Sequence, residues 1–104
     1  MQRRVRQPTH PGALLREDVL PALNLGKAEA ARVLGVSRTY LYRLLEGEVP
    51  MSVEMCVKVG ALAGNGPRLW MNMQSAYNLW DAEKNPALIK SVSKISGYRE
   101  AHVG

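Results

Sequence analysis

AARVLGVSRTYLYRLLEG, residues Ala30 to Gly47, is the stretch that decides the fold of this chain. Two short apolar helical runs lie on either side of a tight corner at Gly35-Val36-Ser37. A glycine with positive φ commonly ends a helix, and a serine is a good N-cap for the helix that follows. The leucines of the second run recur at three- and four-residue spacing, which predicts one buried face. The pattern therefore predicts a helix-turn-helix over residues 27–46, a unit whose second helix enters the major groove of DNA.

Composition is that of one compact helical domain with a polyanionic partner. The chain has 104 residues, 46% of them hydrophobic, and a net charge of +5. A chain of this length forms one domain rather than two, and its basic balance favours nucleic acid. The single cysteine, Cys56, lies in an apolar run and is predicted to be a buried structural thiol. A chain that cannot form an internal disulfide is typical of a cytoplasmic protein.

Several classes of protein are excluded by what the sequence lacks. No apolar run approaches the ~18 residues that a membrane span needs, and no apolar stretch follows the basic N-terminus as in a signal peptide. The two histidines, His10 and His102, lie at opposite ends, and no metal-ligand spacing or phosphate-binding glycine loop occurs. The chain is therefore predicted not to be an enzyme, with neither a metal nor a cofactor.

The residues that begin and end helices elsewhere in the sequence predict an all-α chain of five helices. The first runs from Pro11 to about Leu20, where Pro21 interrupts it, and the fourth is capped by Ser52. The fifth is an extended C-terminal helix over 67–84, which Asn85-Pro86 breaks. Residues 1–10 are predicted to form a flexible basic arm, 11–84 the DNA-binding domain, and 85–104 a tail with one short helix at 87–93.

The outward residues of the second motif helix are candidates for DNA contact. Arginine is the commonest base reader because its planar fork matches guanine O6 and N7, and threonine can contact a thymine methyl group. The base-contacting candidates are Arg38, Thr39 and Arg43. The phosphate-contacting candidates, at helix N-termini or with a reaching hydroxyl, are Lys27, Ser37, Tyr40 and Tyr42. The alternative is an ordinary solvated face on a helical bundle.

An aromatic and methionine stripe marks the fifth helix. Its members are Trp70, Met73, Tyr77 and Trp80. Such a stripe packs either in a core or against a second copy. Because a single groove-reading unit of this size binds weakly and two half-sites about 34 Å apart are the usual remedy, we favour a homodimer interface.

Three segments together resemble a known family. They are HPGALLRED at 10–18, LGVSRTYLYRLLEG at 34–47 and PRLWMNMQSAYNLWDAE at 67–83. Over His10 to Lys84 the chain resembles HigA-type antitoxins, a branch of the phage-repressor-like helix-turn-helix proteins. The resemblance implies a repressor-like fold, operator DNA as one partner and a HigB-like toxin of the RelE-type, mRNA-cleaving class as the other. It also implies a dimer that represses its own operon.

The resemblance places base and phosphate contacts at the candidates named above, with two departures. Lys27 stands where repressor-like proteins often carry Gln, which favours a point-charge contact with phosphate. Glu48 stands where a basic residue is common, which weakens backbone contacts from that loop.

The toxin-binding surface and the arm stay open. Acidic candidates for a basic toxin are Glu17, Asp18 and Glu29, although solvated helix faces explain them equally. The arm, with Arg3, Arg4 and Arg6, either grips phosphate, docks on the toxin or is a solvated tail. Two alternative functions remain: a free-standing phage-type regulator without a toxin, and a toxin-neutralising protein without DNA binding.

Overall fold

The computed structural model describes residues 6–103, and that part of the chain is helical with no strand. Arg3 and Arg4 of the predicted arm lie outside the described residues, and Arg6 is exposed. There are six helices: α1, made of Pro11–Leu14, a π-helical turn Leu15–Val19 and Leu20–Ala22; α2, Lys27–Leu34; α3, Arg38–Leu45; α4, Val53–Ala63; α5, Pro67–Glu83; and α6, Pro86–His102. The all-α prediction is confirmed, and the sixth helix extends well beyond the short one predicted at 87–93.

The first helix continues past the predicted break at Pro21. The Leu20 N–H donates to the Leu15 carbonyl five residues back, which is the widened turn of a π-helix. Pro21, which has no N–H to donate, then falls at the start of the closing segment Leu20–Ala22. The wider turn carries the helix through the proline, so the prediction that Pro21 interrupts it was wrong.

The core lies where α1 to α5 meet. Its buried apolar members are Leu15, Leu20, Ala30, Ala31, Leu34, Leu41, Leu44, Leu45, Met51, Met55, Cys56, Val59 and Trp70. Cys56 is wholly buried, as predicted, and burial raises the pKa of its thiol. The tryptophan is the largest of the fully buried side chains.

Trp70 corrects part of the predicted dimer interface. Its side chain is 0% exposed, and its indole N–H donates to Asn65 Oδ1 at 2.9 Å, so the ring belongs to the core of its own chain. Met73, Tyr77 and Trp80 are half-buried and keep a face at the surface. The four residues recur at a helical period, but they differ in burial. Trp70 is fully buried, whereas the other three are partly exposed.

The predicted tail is a full helix. Asn85 caps α6 by accepting hydrogen bonds from the N–H groups of Ala87 and Leu88, and Pro86 occupies the first helical position. Asn85 and Pro86 therefore start a helix of 17 residues. The sequence predicts only a break at this point and a short helix at 87–93, so the predicted length was wrong. None of the residues of α6 is buried, and its main packing partner is α5.

Candidate nucleic-acid interface

The corner between α2 and α3 has the geometry of a helix-turn-helix. Gly35 ends α2 with φ +69°, and its neighbour Val36 donates back to the Ala31 carbonyl at 3.0 Å. Ser37 then caps α3, its hydroxyl accepting from the Tyr40 N–H at 3.1 Å. The two caps fix the angle at which α3 leaves the corner, as the sequence predicted.

The two faces of α3 separate cleanly. Leu41, Leu44 and Leu45 are at most 1% exposed and anchor the helix on the core. The predicted base readers Arg38, Thr39 and Arg43 are all exposed on the outer face, with Ser37 at its N-terminal edge. A helix held rigidly by one face and polar on the other is suited to insertion into a groove.

Two predicted phosphate contacts lie together beside this face. The Lys27 ammonium, at the start of α2, lies 5.7 Å from the centroid of the Tyr42 ring on α3. This distance is within the range of a cation–π contact. The structure thus brings a cation and a phenol ring to the same side of the corner.

Tyr40 is placed differently from the other candidates. Its ring is half-buried against the core, with its hydroxyl beside Ser52, the N-cap of α4. Burial is the largest cause that raises the pKa of the Tyr40 hydroxyl, and the hydrogen-bonding Ser52 side chain acts in the opposite direction. Tyr40 therefore packs between α3 and α4. Its contact with a DNA phosphate stays a prediction.

Glu48 contacts one of the predicted base readers. Its Oε2 lies 3.5 Å from Nε of Arg43, and both side chains are more than half exposed. The sequence had marked Glu48 only as a departure from a basic pattern in the loop. The structure ties it to a residue of the recognition helix instead.

The C-terminal end of α3 is held through three contacts by α1 and by His10, the residue that caps α1. Gly12 lies so close that a Cβ there would stand 1.9 Å from the Leu44 carbonyl oxygen. Arg16 Nη1 donates to the Leu45 carbonyl at 2.9 Å. His10 lies against Gly47, just beyond the helix end. These contacts satisfy or cover the last turn of α3 and set its tilt on the core.

His10 makes its contacts in the neutral form. Nδ1 of its ring accepts from the Gly12 N–H at 2.9 Å, which caps α1, and the ring meets Tyr77 edge-on at 4.9 Å. Burial lowers the pKa of His10, with a hydrogen bond to the Val49 backbone acting in the opposite direction. A neutral ring can accept at Nδ1, whereas a protonated ring cannot. His10 is thus a structural residue.

Gln74 secures the loop that leaves α3. It is 4% exposed, its Oε1 accepts from the Met51 N–H at 2.7 Å, and its Nε2 donates to Asn78 Oδ1. Sequence reasoning missed this residue, and it missed Arg16 and Gly12 as positioning residues. The only signal was indirect, since all three fall within the segments that carry the family resemblance.

Comparisons with known proteins agree with this geometry. The chain matches no protein-family model. It is 31% identical to Antitoxin HigA-1 of Vibrio cholerae over 81 residues, which cover 78% of this chain and 76% of that protein. This chain belongs to the HigA family of antitoxins. The relatives are regulators and antitoxins rather than enzymes.

Solved structures similar to this HigA-family chain include complexes with DNA. The antitoxin GraA in complex with its operator has a TM-score of 0.72 and 27% identity, covering 93% of each chain. Pseudomonas aeruginosa antitoxin HigA with the higBA promoter has a TM-score of 0.65 and 25% identity, covering 93% of this chain and 96% of that one. The shared fold therefore includes the corner and the exposed face described above.

Other kinds of site have no support in the part of this HigA-family chain that the structure describes. Across 6–103, no group of three or more His, Cys, Asp or Glu residues is placed to hold a metal ion. No helix in that range is long and apolar enough to cross a bilayer.

Proposed function

We propose that this chain is the antitoxin of a two-gene module, which represses its own operon through α3 and neutralises a RelE-like, mRNA-cleaving toxin. The observation that carries the proposal is the exposed face of α3, rigidly anchored by buried leucines and flanked by Lys27 and Tyr42. The operator-bound structures of GraA and of Pseudomonas HigA support it, because their fold covers nearly all of this chain. Its place of action would be the cytoplasm.

In this proposal the exposed residues divide into two roles. Arg38, Thr39 and Arg43 read base edges in the major groove, where an arginine fork discriminates guanine by about 1–3 kcal/mol. Lys27, Ser37 and Tyr42 contact phosphate, which sets register and affinity but carries no sequence information.

Replacing Arg38 by alanine should weaken binding to the chain's own promoter by about 1–3 kcal/mol and relax preference at one base pair. Arg43→Ala should do the same at a second base pair. Lys27→Ala should instead weaken binding to all sequences evenly and lower the slope of log K against log salt by about 0.9. Fluorescence anisotropy with promoter and scrambled duplexes at several salt concentrations measures all of these.

Arg32→Ala is the matched control for these variants. Arg32 is an exposed arginine of the same motif, but it lies on α2 and is paired with Glu29. It should leave both affinity and salt slope unchanged. An unaltered promoter footprint for Arg38→Ala together with Arg43→Ala would show that α3 does not read the bases.

The three acidic candidates for toxin binding differ in whether they are already paired with an arginine of this chain. Glu17 pairs with Arg16 at 2.8 Å, and Arg32 holds the pKa of Glu29 below its usual value through a hydrogen bond. Asp18 makes no ion pair with any residue in 6–103 and is exposed. Among the three, Asp18 is the acidic group most available to a basic partner.

Co-expression with the adjacent gene tests the toxin half of the proposal separately from DNA binding. The chain should restore growth arrested by that gene product and should co-purify with it. Arg38→Ala, which lies on the DNA face, should neutralise as well as the wild type. Growth that stays arrested would contradict the antitoxin function and support a free-standing regulator. Neutralisation without promoter binding would support a toxin-neutralising protein that does not bind DNA.

We further propose that the chain acts as a homodimer through α5 and α6. Met73, Tyr77 and Trp80 are half-buried, which leaves each of them a face for contact with a second copy. The apolar tail surface lies on α6 and consists of Leu88, Ile89, Val92, Ile95 and Tyr98, each at least 43% exposed. The charged side chains of α6 are mostly basic, Lys90, Lys94 and Arg99 against Glu100, which disfavours a basic toxin as the occupant. A second copy fits this surface and supplies the second half-site reader.

Ile95→Asp should convert the dimer to a monomer, because it would bury a charge at the interface. Ile95 is 67% exposed in the single chain, so the variant should keep the fold of α1 to α5. Sedimentation velocity at micromolar concentration measures the change. Ser93→Asp, which adds the same charge on a different side of α6, is the control and should remain dimeric. A monomeric wild type, or a dimeric Ile95→Asp, would contradict the interface.

A further inference from the structure

The C-terminal cap of α3 brings an acid to a base reader. The Gly47 N–H donates to the Leu44 carbonyl at 3.0 Å, and the Glu48 N–H donates to the Arg43 carbonyl at 2.9 Å. With Gly47 at φ +74°, these are the two bonds of a Schellman motif. The motif folds the chain back over the last turn and fixes the Glu48 backbone directly above Arg43.

The ion pair between the two side chains is recorded at Nε of Arg43 and not at its terminal Nη atoms. Nε lies 3.5 Å from Glu48 Oε2. The guanidinium has five N–H donors in a planar fork, and four of them belong to the two Nη atoms. A carboxylate at Nε therefore orients the group while both Nη atoms stay available for the bidentate contact with guanine O6 and N7.

The charge of Glu48 has a second effect. Glu48 is an exposed carboxylate beside the C-terminal end of α3, and a phosphate backbone that approaches this end repels it whatever the DNA sequence. Its pairing with Arg43 reduces the cation's ability to act as a loose phosphate contact. Both effects lower binding to non-cognate DNA, and the orienting contact is useful only at a base pair that Arg43 recognises.

From these contacts we infer that Glu48 is a specificity-determining residue, which positions Arg43 for one guanine and suppresses non-specific binding. The inference rests on the proposed DNA-binding function. It assigns to Glu48 a positioning role through Arg43, since the carboxylate itself need not touch a base.

Binding of promoter duplexes in which each base pair is changed in turn tests this role. The position at which Arg43→Ala loses discrimination defines the Arg43 base pair. Glu48→Gln should lower discrimination at that pair by about two- to fivefold, in line with the modest strength of exposed ion pairs, and leave it unchanged at the Arg38 pair. It should also raise affinity for scrambled DNA and steepen the salt dependence.

Two further variants separate contact from charge. Glu48→Asp keeps the charge but is one methylene too short to reach Nε, so it should lose discrimination as Glu48→Gln does. Glu46→Gln removes the same charge two residues away, where the carboxylate pairs with Arg16 rather than Arg43, and should leave discrimination unchanged. Melting curves of all variants should match the wild type, because the side chains of Glu46 and Glu48 are more than half exposed.

The outcomes are distinct. Equal loss at every base pair, or wild-type discrimination in Glu48→Gln or Glu48→Asp, would overturn the role of Glu48 while leaving the DNA-binding function intact. A wild-type chain that does not prefer its promoter over scrambled DNA would overturn the proposed function itself.

Discussion

Trp70→Ala is expected to lower the free energy of unfolding by about 3–5 kcal/mol, the range for removing a large buried aromatic ring. The indole is 0% exposed, and its N–H bond to Asn65 joins α5 to the loop that follows α4. Removal leaves a cavity that the helices can close only in part, and it leaves the Asn65 amide without its partner. Urea unfolding followed by circular dichroism measures the loss.

Trp80→Ala is the matched control, because it removes the same side chain from a half-buried position ten residues further along the same helix. Its ring is covered partly by Tyr77 and by the Lys84 ammonium, 3.7 Å from the ring centroid. At protein concentrations low enough to keep both variants monomeric, it should cost well under half as much stability. If Trp70 were instead an interface residue, its alanine variant would melt as the wild-type monomer does and would only dissociate the dimer.

Gly12→Ala is expected to cost about 3 kcal/mol or more, at the upper end of what overpacking produces. Within a helix, alanine is normally preferred to glycine by about 1 kcal/mol, so the expected sign is reversed. The reason is that the added methyl would lie 1.9 Å from the Leu44 carbonyl oxygen, a backbone atom that no side-chain rotation can move. Either α1 or the end of α3 must shift.

Differential scanning calorimetry should show a fall in Tm of about 10–20 °C for Gly12→Ala. Promoter affinity should fall as well at temperatures where the variant is still folded, because α3 tilts. Gly97→Ala is the control: it lies in α6 with nothing within 4 Å of the new methyl, and it should leave Tm unchanged or raise it. A Gly12→Ala chain as stable as the wild type would show that α1 and α3 are not in contact there.

The parts of the fold that could be predicted from sequence are those set by local chemistry. Gly35 and Ser37 act on their own neighbours through a positive φ and a hydroxyl cap, so the corner and the buried leucines of α3 followed directly. The outward positions of Arg38, Thr39 and Arg43 followed from the same period.

What the sequence could not supply depends on long-range contacts or on signals with two meanings. Asn85-Pro86 can end a helix or begin one, and only the structure shows the amide capping α6. The period of α5 groups four large residues but does not tell how deep each lies, so Trp70 was assigned to the surface. Gly12 contacts Leu44, 32 positions further along the chain, and Gln74 contacts Met51, 23 positions before it. Both contacts are made to backbone atoms, which carry no sequence signature.

The exposure of α6 also affects how fast the chain is degraded. Most of the stability of a helix in a protein comes from tertiary packing, and α6 has no buried residue to supply it. Its amide hydrogens should exchange fastest among the helices of the single chain, and a trypsin-like protease should cut first after the exposed Lys94 and Arg99. Anything that covers α6 protects those bonds by mass action. The half-life of the protein would then rise with its own concentration, so that scarce molecules are lost first and abundant ones persist.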